Sequence, residues 1–271
     1  MKQLSGKDLA GFIKERQVQQ VRSLKQSLGI QPKLAIIKTV NHPAIEMYVR
    51  MKKRYGADIG IEVDIHDVAQ KDVPKLLNKL NVDVAVQGII VQLPLEDPAQ
   101  TDEIVNLVDP RKDVDALGKN AVLDPATPLA ILWLLAGYNI NLAGKDIVLV
   151  GRGKLVGAPL ERMLKASDLF VRVVDSSTPD VKAELLLADV IITATGSPGL
   201  ITSDMIKEGA IVVDAGVAGE EGKTVGDLAP SVYERDDLTI TPPKGGVGPL
   251  TICALFDNVL RVARSQEEKE G

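Results

Sequence analysis

Short apolar strands and amphipathic helices alternate in two successive series, with a proline-rich stretch between them, so the sequence predicts an α/β fold made of two α/β domains. A chain of 271 residues, 45% hydrophobic and 25% charged, is long and apolar enough to fill two such cores.

The elements follow in order. Leu9, Phe12, Ile13, Val18, Val21, Leu24 and Leu28 recur at helical spacing ahead of Gly29, which predicts a helix over 7–28 closed by a glycine. Lys33 to Lys38 reads as a buried strand, 43–55 as a helix, Ile59 to Val63 as a strand, 69–80 as a helix and Val84 to Leu93 as a strand. Strand and helix in alternation imply parallel pairing with right-handed crossovers. The stretch 94–128, punctuated by Pro94, Pro98, Pro110, Pro125 and Pro128, reads as a hinge and the rim of a site. The second series is a helix at 128–138, a strand at 146–150, a helix near 155–166, a strand at 170–174 and a helix at 180–187. Strands at 190–194 and 210–214 follow, and the last helix, about 250–265, comes after a glycine-rich loop.

Composition narrows the function. With 32 basic and 37 acidic residues the net charge is -5, which argues against a nucleic-acid partner. The longest apolar run, Pro128 to Ala136, is far below the roughly 20 residues of a bilayer span, and charge at Lys2, Lys7 and Asp8 interrupts any leader, so no membrane association is expected. Cys253 alone forms no internal disulfide, which fits a reducing cytoplasm. His42 and His66 are too few for a histidine metal centre or a Ser-His-Asp triad, so no metal is expected and catalysis falls to Lys, Tyr, Asp and Gln.

Four motifs carry chemistry. Gly151-Arg152-Gly153-Lys154-Leu155-Val156-Gly157 joins a strand to a helix, where backbone amides and the helix dipole can hold a pyrophosphate. Its spacing is one residue longer than the common dinucleotide fingerprint, and a plain strand-to-helix turn is the competing reading. Asp175 ends the next strand 24 residues after Gly151, where an acidic residue meets a ribose in such folds, and Thr195 ends a third strand on the nicotinamide side.

Tyr48 and Lys52 stand four apart on one helical face, able to hold a substrate and move protons, although an isolated pair of this kind also reads as a solvated lysine beside a half-buried tyrosine. Gln92 closes an apolar strand immediately before Leu93-Pro94. Asp113 and Asp115 are either ligands or idle loop carboxylates.

Tyr48-x-x-x-Lys52, Gly88 to Leu95, Lys112 to Asp115, Gly151 to Pro159 and Gly245 to Thr251, in this order, resemble the bifunctional methylenetetrahydrofolate dehydrogenase/methenyltetrahydrofolate cyclohydrolase family over nearly the whole chain. The resemblance implies two α/β domains with a cleft between them that holds folate: residues 1–118 as the catalytic, folate-binding domain, and 119–251 as a Rossmann-type doubly wound parallel sheet that binds the dinucleotide. The helix from about 252 to 271 would pack back on the first domain, and the Rossmann halves would form a homodimer. It further implies Lys52 as the central cyclohydrolase group, Gln92 as its partner, Tyr48 as a wall for the folate rings and Asp115 as the pterin anchor. Gly245, Gly246 and Pro249 would complete the substrate side. Gly151, Arg152, Gly153, Val156, Gly157, Asp175, Ser176, Thr195 and Val217 would form the cofactor surface.

The resemblance implies NADP as the cofactor, and the local charges do not choose: Arg152 can meet a 2′-phosphate, while Asp175 would favour the free 2′-hydroxyl of NAD, and the two effects nearly cancel. Three positions depart from the family pattern: Lys244 stands where a proline is usual, Gly153 where a serine is, and Asp175 where a histidine is often found. A monofunctional dehydrogenase and a non-catalytic folate- or nucleotide-binding regulator are the competing functions. Retention of Lys52 and Gln92 speaks against the first, and Lys244 makes the second conceivable.

Overall fold

The computed structural model describes residues 1–220 and 223–265. Its elements in chain order are β1 (Lys2–Gln3), α1 (Gly6–Leu28), β2 (Lys33–Lys38), α2 (Pro43–Ile59), β3 (Glu62–Asp67), α3 (Val73–Val82), β4 (Gly88–Val91), α4 (Thr101–Val105) and α5 (Ala126–Gly137). They continue with β5 (Ile147–Val150), α6 (Gly157–Ala166), β6 (Val171–Val174), α7 (Val181–Leu187), β7 (Val190–Thr193) and β8 (Ile211–Asp214). The last are β9 (Ala218–Glu220), β10 (Lys223–Val225), β11 (Thr239–Ile240) and α8 (Val247–Ser265). Among the described residues no helix is long and apolar enough to cross a membrane, and no group of three His, Cys, Asp or Glu could hold a metal ion.

The residues separate into two compact units, one of Gly11–Ala126 with Ile252–Gly271, the other of Met1–Ala10 with Thr127–Thr251. The sequence reading placed the first ten residues with 11–118. They belong instead with the second series, because β1 pairs with β11.

The first unit is built on a parallel sheet of order β3-β2-β4. β4 is buried at every residue and β2 at all but Lys33, as strands covered on both faces must be, and Ala35, Ile37, Leu77, Ile89 and Val91 fill one core. Of the expected boundaries that move, two have a clear local cause. Ile59 is the last residue of α2, not the first of a strand, because Gly60 takes the left-handed conformation at φ 86 and its N–H caps the helix on Ala57 O. The strand therefore starts at Glu62. The strand expected from Val84 shortens to Gly88–Val91, since Val84 is 81% exposed and Asp83 turns the chain by accepting from Ala85 N at 2.9 Å.

The second unit carries a six-stranded parallel sheet, β1-β11-β8-β7-β5-β6. From β5 the chain passes to β6 on one side and then to β7 on the other, so the order reverses at β5. Ligands in such sheets sit at that reversal, beyond the carboxyl ends of the strands. The segments there are Gly151–Val156 after β5 and Ala194–Ser197 after β7.

Candidate active site

In the first unit, α2 begins at Pro43 with His42 as its cap, the imidazole Nδ1 accepting from Ala44 N at 3.3 Å. The helix carries Tyr48 and Lys52 one turn apart, both half-buried. Lys52 Nζ donates to Gln92 Oε1 at 2.9 Å, joining two residues 40 apart in the chain. Gln92 is fixed from its other end, Nε2 donating to Leu93 O at 3.0 Å and the backbone N–H to Ile37 O at 2.8 Å, next to the cis Leu93-Pro94 peptide. Burial pushes the Lys52 ammonium below the ordinary lysine range, and the Asp115 carboxylate opposes that shift through space.

The Lys112 to Asp115 segment divides its labour. Lys112 Nζ donates to Leu80 O at 3.0 Å and Asp83 O at 2.6 Å, and Val114 is wholly buried. Asp113 is 3% exposed and accepts from Gly118 N at 2.7 Å, so it shapes the loop. Only Asp115 of the two carboxylates is half-exposed. Asn258 on α8 clamps the same segment, its Nδ2 donating to Val114 O at 2.9 Å and Asp124 O at 2.8 Å.

In the second unit, Gly151 sits at φ 93, and a Cβ on Gly157 would lie 2.2 Å from Gly151 O. Glycine is required at both positions for the turn to close. A Cβ on Gly153 would meet no heavy atom nearer than 4.0 Å, so that residue faces open space. Arg152 is ion-paired to Glu161, Nε to Oε2 at 2.8 Å, a partner the sequence reading did not foresee. The Asp175 carboxylate accepts from Ser177 N at 2.9 Å and Ser177 Oγ at 2.6 Å, and these bonds hold it below the usual range. Ser176 and Val217 are exposed, and Val156 and Thr195 are half-buried. Gly245, at φ 81, and Gly246 also belong to this unit, and Pro249 lies in the first turn of α8 rather than in the loop before it.

Residues 4–115 match the family described as tetrahydrofolate dehydrogenase/cyclohydrolase, catalytic domain, and residues 125–267 its NAD(P)-binding domain. The chain belongs to the tetrahydrofolate dehydrogenase/cyclohydrolase family. Within the family it is 38% identical to the bifunctional protein FolD of Sulfurihydrogenibium sp., over 96% of each chain. The crystal structure of the bifunctional FolD enzyme of Campylobacter jejuni superimposes with a TM-score of 0.92, at 38% identity, covering 98% of this chain and 99% of that one. The Trypanosoma brucei FolD, solved with NADP and an inhibitor, gives 0.89 at 29% identity over 97% of both chains.

Two residues of this family member had escaped sequence reasoning. Asp227, fully buried, accepts from Thr195 N at 2.8 Å and Ser197 N at 2.9 Å, fixing the turn after β7. A Cβ on Gly216 would strike that carboxylate at 2.1 Å, so the Ala215-Gly216-Val217 segment is glycine-bearing to make room for it. Glu161 is the other. Spacing announces neither contact, because Asp227 meets these amides, and Glu161 meets Arg152, only through the fold.

Proposed function

We propose that this enzyme oxidises 5,10-methylenetetrahydrofolate to 5,10-methenyltetrahydrofolate with NADP and hydrolyses that product to 10-formyltetrahydrofolate. The observation that carries the bifunctional reading is the 2.9 Å bond between Lys52 Nζ and Gln92 Oε1, with a desolvated amine, in the half that matches the catalytic domain.

The dinucleotide passes a test of fit: the turn at Gly151 and Gly157 is as close as glycine permits, while Gly153 leaves its outer side open for a phosphate. Gly151 to Gly157 would hold the pyrophosphate, Arg152, Asp175 and Ser176 the adenosine ribose, and Thr195 and Val217 the nicotinamide end. A dinucleotide held there would supply the acceptor for the hydride that leaves the methylene carbon. The protein's share of that step is alignment, since the folate nitrogen lone pair stabilises the cation that is left.

Hydrolysis asks more of the side chains. Water adds to the methenyl carbon, the bond from that carbon to N5 breaks, and one proton is released. Lys52, with its affinity for protons lowered by burial, takes the proton from water and returns one to N5. Gln92 aims the amine, Tyr48 packs against the folate rings, and Asp115 accepts paired hydrogen bonds from the aminopyrimidinone edge.

In the same reading the enzyme is a cytoplasmic homodimer joined through its dinucleotide-binding halves. In support, β6 lies at the sheet edge directly after Phe170, which is 74% exposed. Supplying purified protein with methylenetetrahydrofolate and NADP tests the function. Reduced nicotinamide and the formyl product should both appear, and failure of either removes that activity from the proposal.

A further inference from the structure

The Arg152 guanidinium does not stand alone beside the glycine turn. Glu161, on α6, is only 6% exposed and accepts from Arg152 Nε at 2.8 Å and from Nη2 at 3.4 Å. Its other oxygen is shared with Lys165 Nζ at 2.6 Å, one helical turn further on. Those bonds use two of the five donors a guanidinium carries, and the Arg152 side chain is 61% exposed, so it can take a further acceptor from solvent. Asp175 feels the same arginine, whose charge lowers its proton affinity. Arg152 and Lys165 supply two positive charges and Glu161 and Asp175 two negative ones, so the group is electrically balanced before any ligand arrives.

We infer that Glu161 sets how strongly this enzyme prefers a 2′-phosphorylated dinucleotide over the unphosphorylated one. Its carboxylate orients Arg152 and at the same time offsets the charge with which Arg152 would attract the 2′-phosphate. The inference rests on the reading above that Arg152 faces the adenosine ribose. Glutamine at position 161 keeps an acceptor for Nε but no longer carries the offsetting charge, so orientation survives while attraction rises. Neutralising Lys165 acts in the opposite sense, because it leaves the Glu161 charge facing Arg152 alone. Glu161 is thus a specificity-determining residue that need not touch the ligand.

The test is equilibrium binding, by titration calorimetry, of adenosine 2′,5′-bisphosphate and of 5′-AMP to the full-length protein. No turnover is needed. Glu161→Gln should tighten the bisphosphate about fivefold, the size of one charge acting across several ångströms of screened surface, and leave 5′-AMP unchanged. Lys165→Met should weaken the bisphosphate by a similar factor, and Arg152→Ala should weaken it roughly tenfold or more. Equal change of both ligands in Glu161→Gln, or no change with Arg152→Ala still selective, overturns the role given to Glu161. If Arg152→Ala affects neither ligand, the placement of the ribose beside Arg152 fails, and the inference falls with it.

Discussion

The lysine site and the glycine turn achieve binding by opposite means. At Lys52 a charged side chain is held in a desolvated position, and the geometry depends on what that side chain touches. At Gly151 to Gly157 the working groups are backbone, and the geometry depends on side chains that are absent. The first kind of site loses chemistry when a residue is trimmed and can gain stability. The second loses shape when anything is added.

Four changes probe that contrast, from the largest effect to the smallest. Gly157→Ala drives a methyl against Gly151 O, where both neighbours are backbone and neither can yield easily. Overpacking of this kind costs about 3 kcal/mol, so NADP affinity should fall roughly a hundredfold while hydrolysis of supplied methenyltetrahydrofolate persists. Calorimetry and a hydrolysis assay on the same preparation would check this. Asp115→Ala should weaken folate binding by about 1.5 to 3 kcal/mol and leave NADP binding within twofold, since it removes a charged acceptor from the other kind of site. Parallel titrations decide it, and equal loss of both ligands would indicate a folding defect.

The third change concerns stability. A lysine whose native affinity for protons is lowered is charged in the unfolded chain and neutral in the folded one across the window between its native and ordinary values, so stability rises with pH there. Below that window the desolvated ammonium is a constant burden on the fold. Lys52→Met should therefore raise the melting temperature near neutral pH by about 2–4 °C for ~1 kcal/mol, the gain shrinking as pH approaches the ordinary lysine value. Calorimetric melting across pH measures it. The smallest effect belongs to Lys244, exposed in the loop before Gly245. An exposed cation contributes ~0–1 kcal/mol, so Lys244→Pro should raise KM for polyglutamylated folate by no more than about fivefold and leave the monoglutamate unchanged. Steady-state kinetics with both substrates tests that.

Local pattern made much of this legible. The helix ending at Leu28, the strand Lys33–Lys38 and the glycine turn are written in short-range spacing, and the structure has them within a residue or two. β1 and β11 are two residues long and carry no period, so only sheet pairing defines them, β1 with β11 and β11 also with β8. The alternation of Ile59 to Val63 imitated a strand because spacing does not report that Gly60 adopts a positive φ. The pairing of Lys52 with Gln92 was legible as two candidates, since each ends or faces a recognisable element. Asp227, whose amide partners lie 32 and 30 residues earlier, had no local signature, and Glu161 showed only its i,i+4 spacing to Lys165, not its bond to the arginine nine residues before it.

The division of labour itself is tested most directly by one product analysis. Lys52→Met is supplied with methylenetetrahydrofolate and NADP, and the folate products are separated and quantified. The account predicts that reduced nicotinamide still forms and that methenyltetrahydrofolate accumulates in place of the formyl product. Formyl product at the parent rate would show that hydrolysis does not depend on Lys52, and would contradict the account.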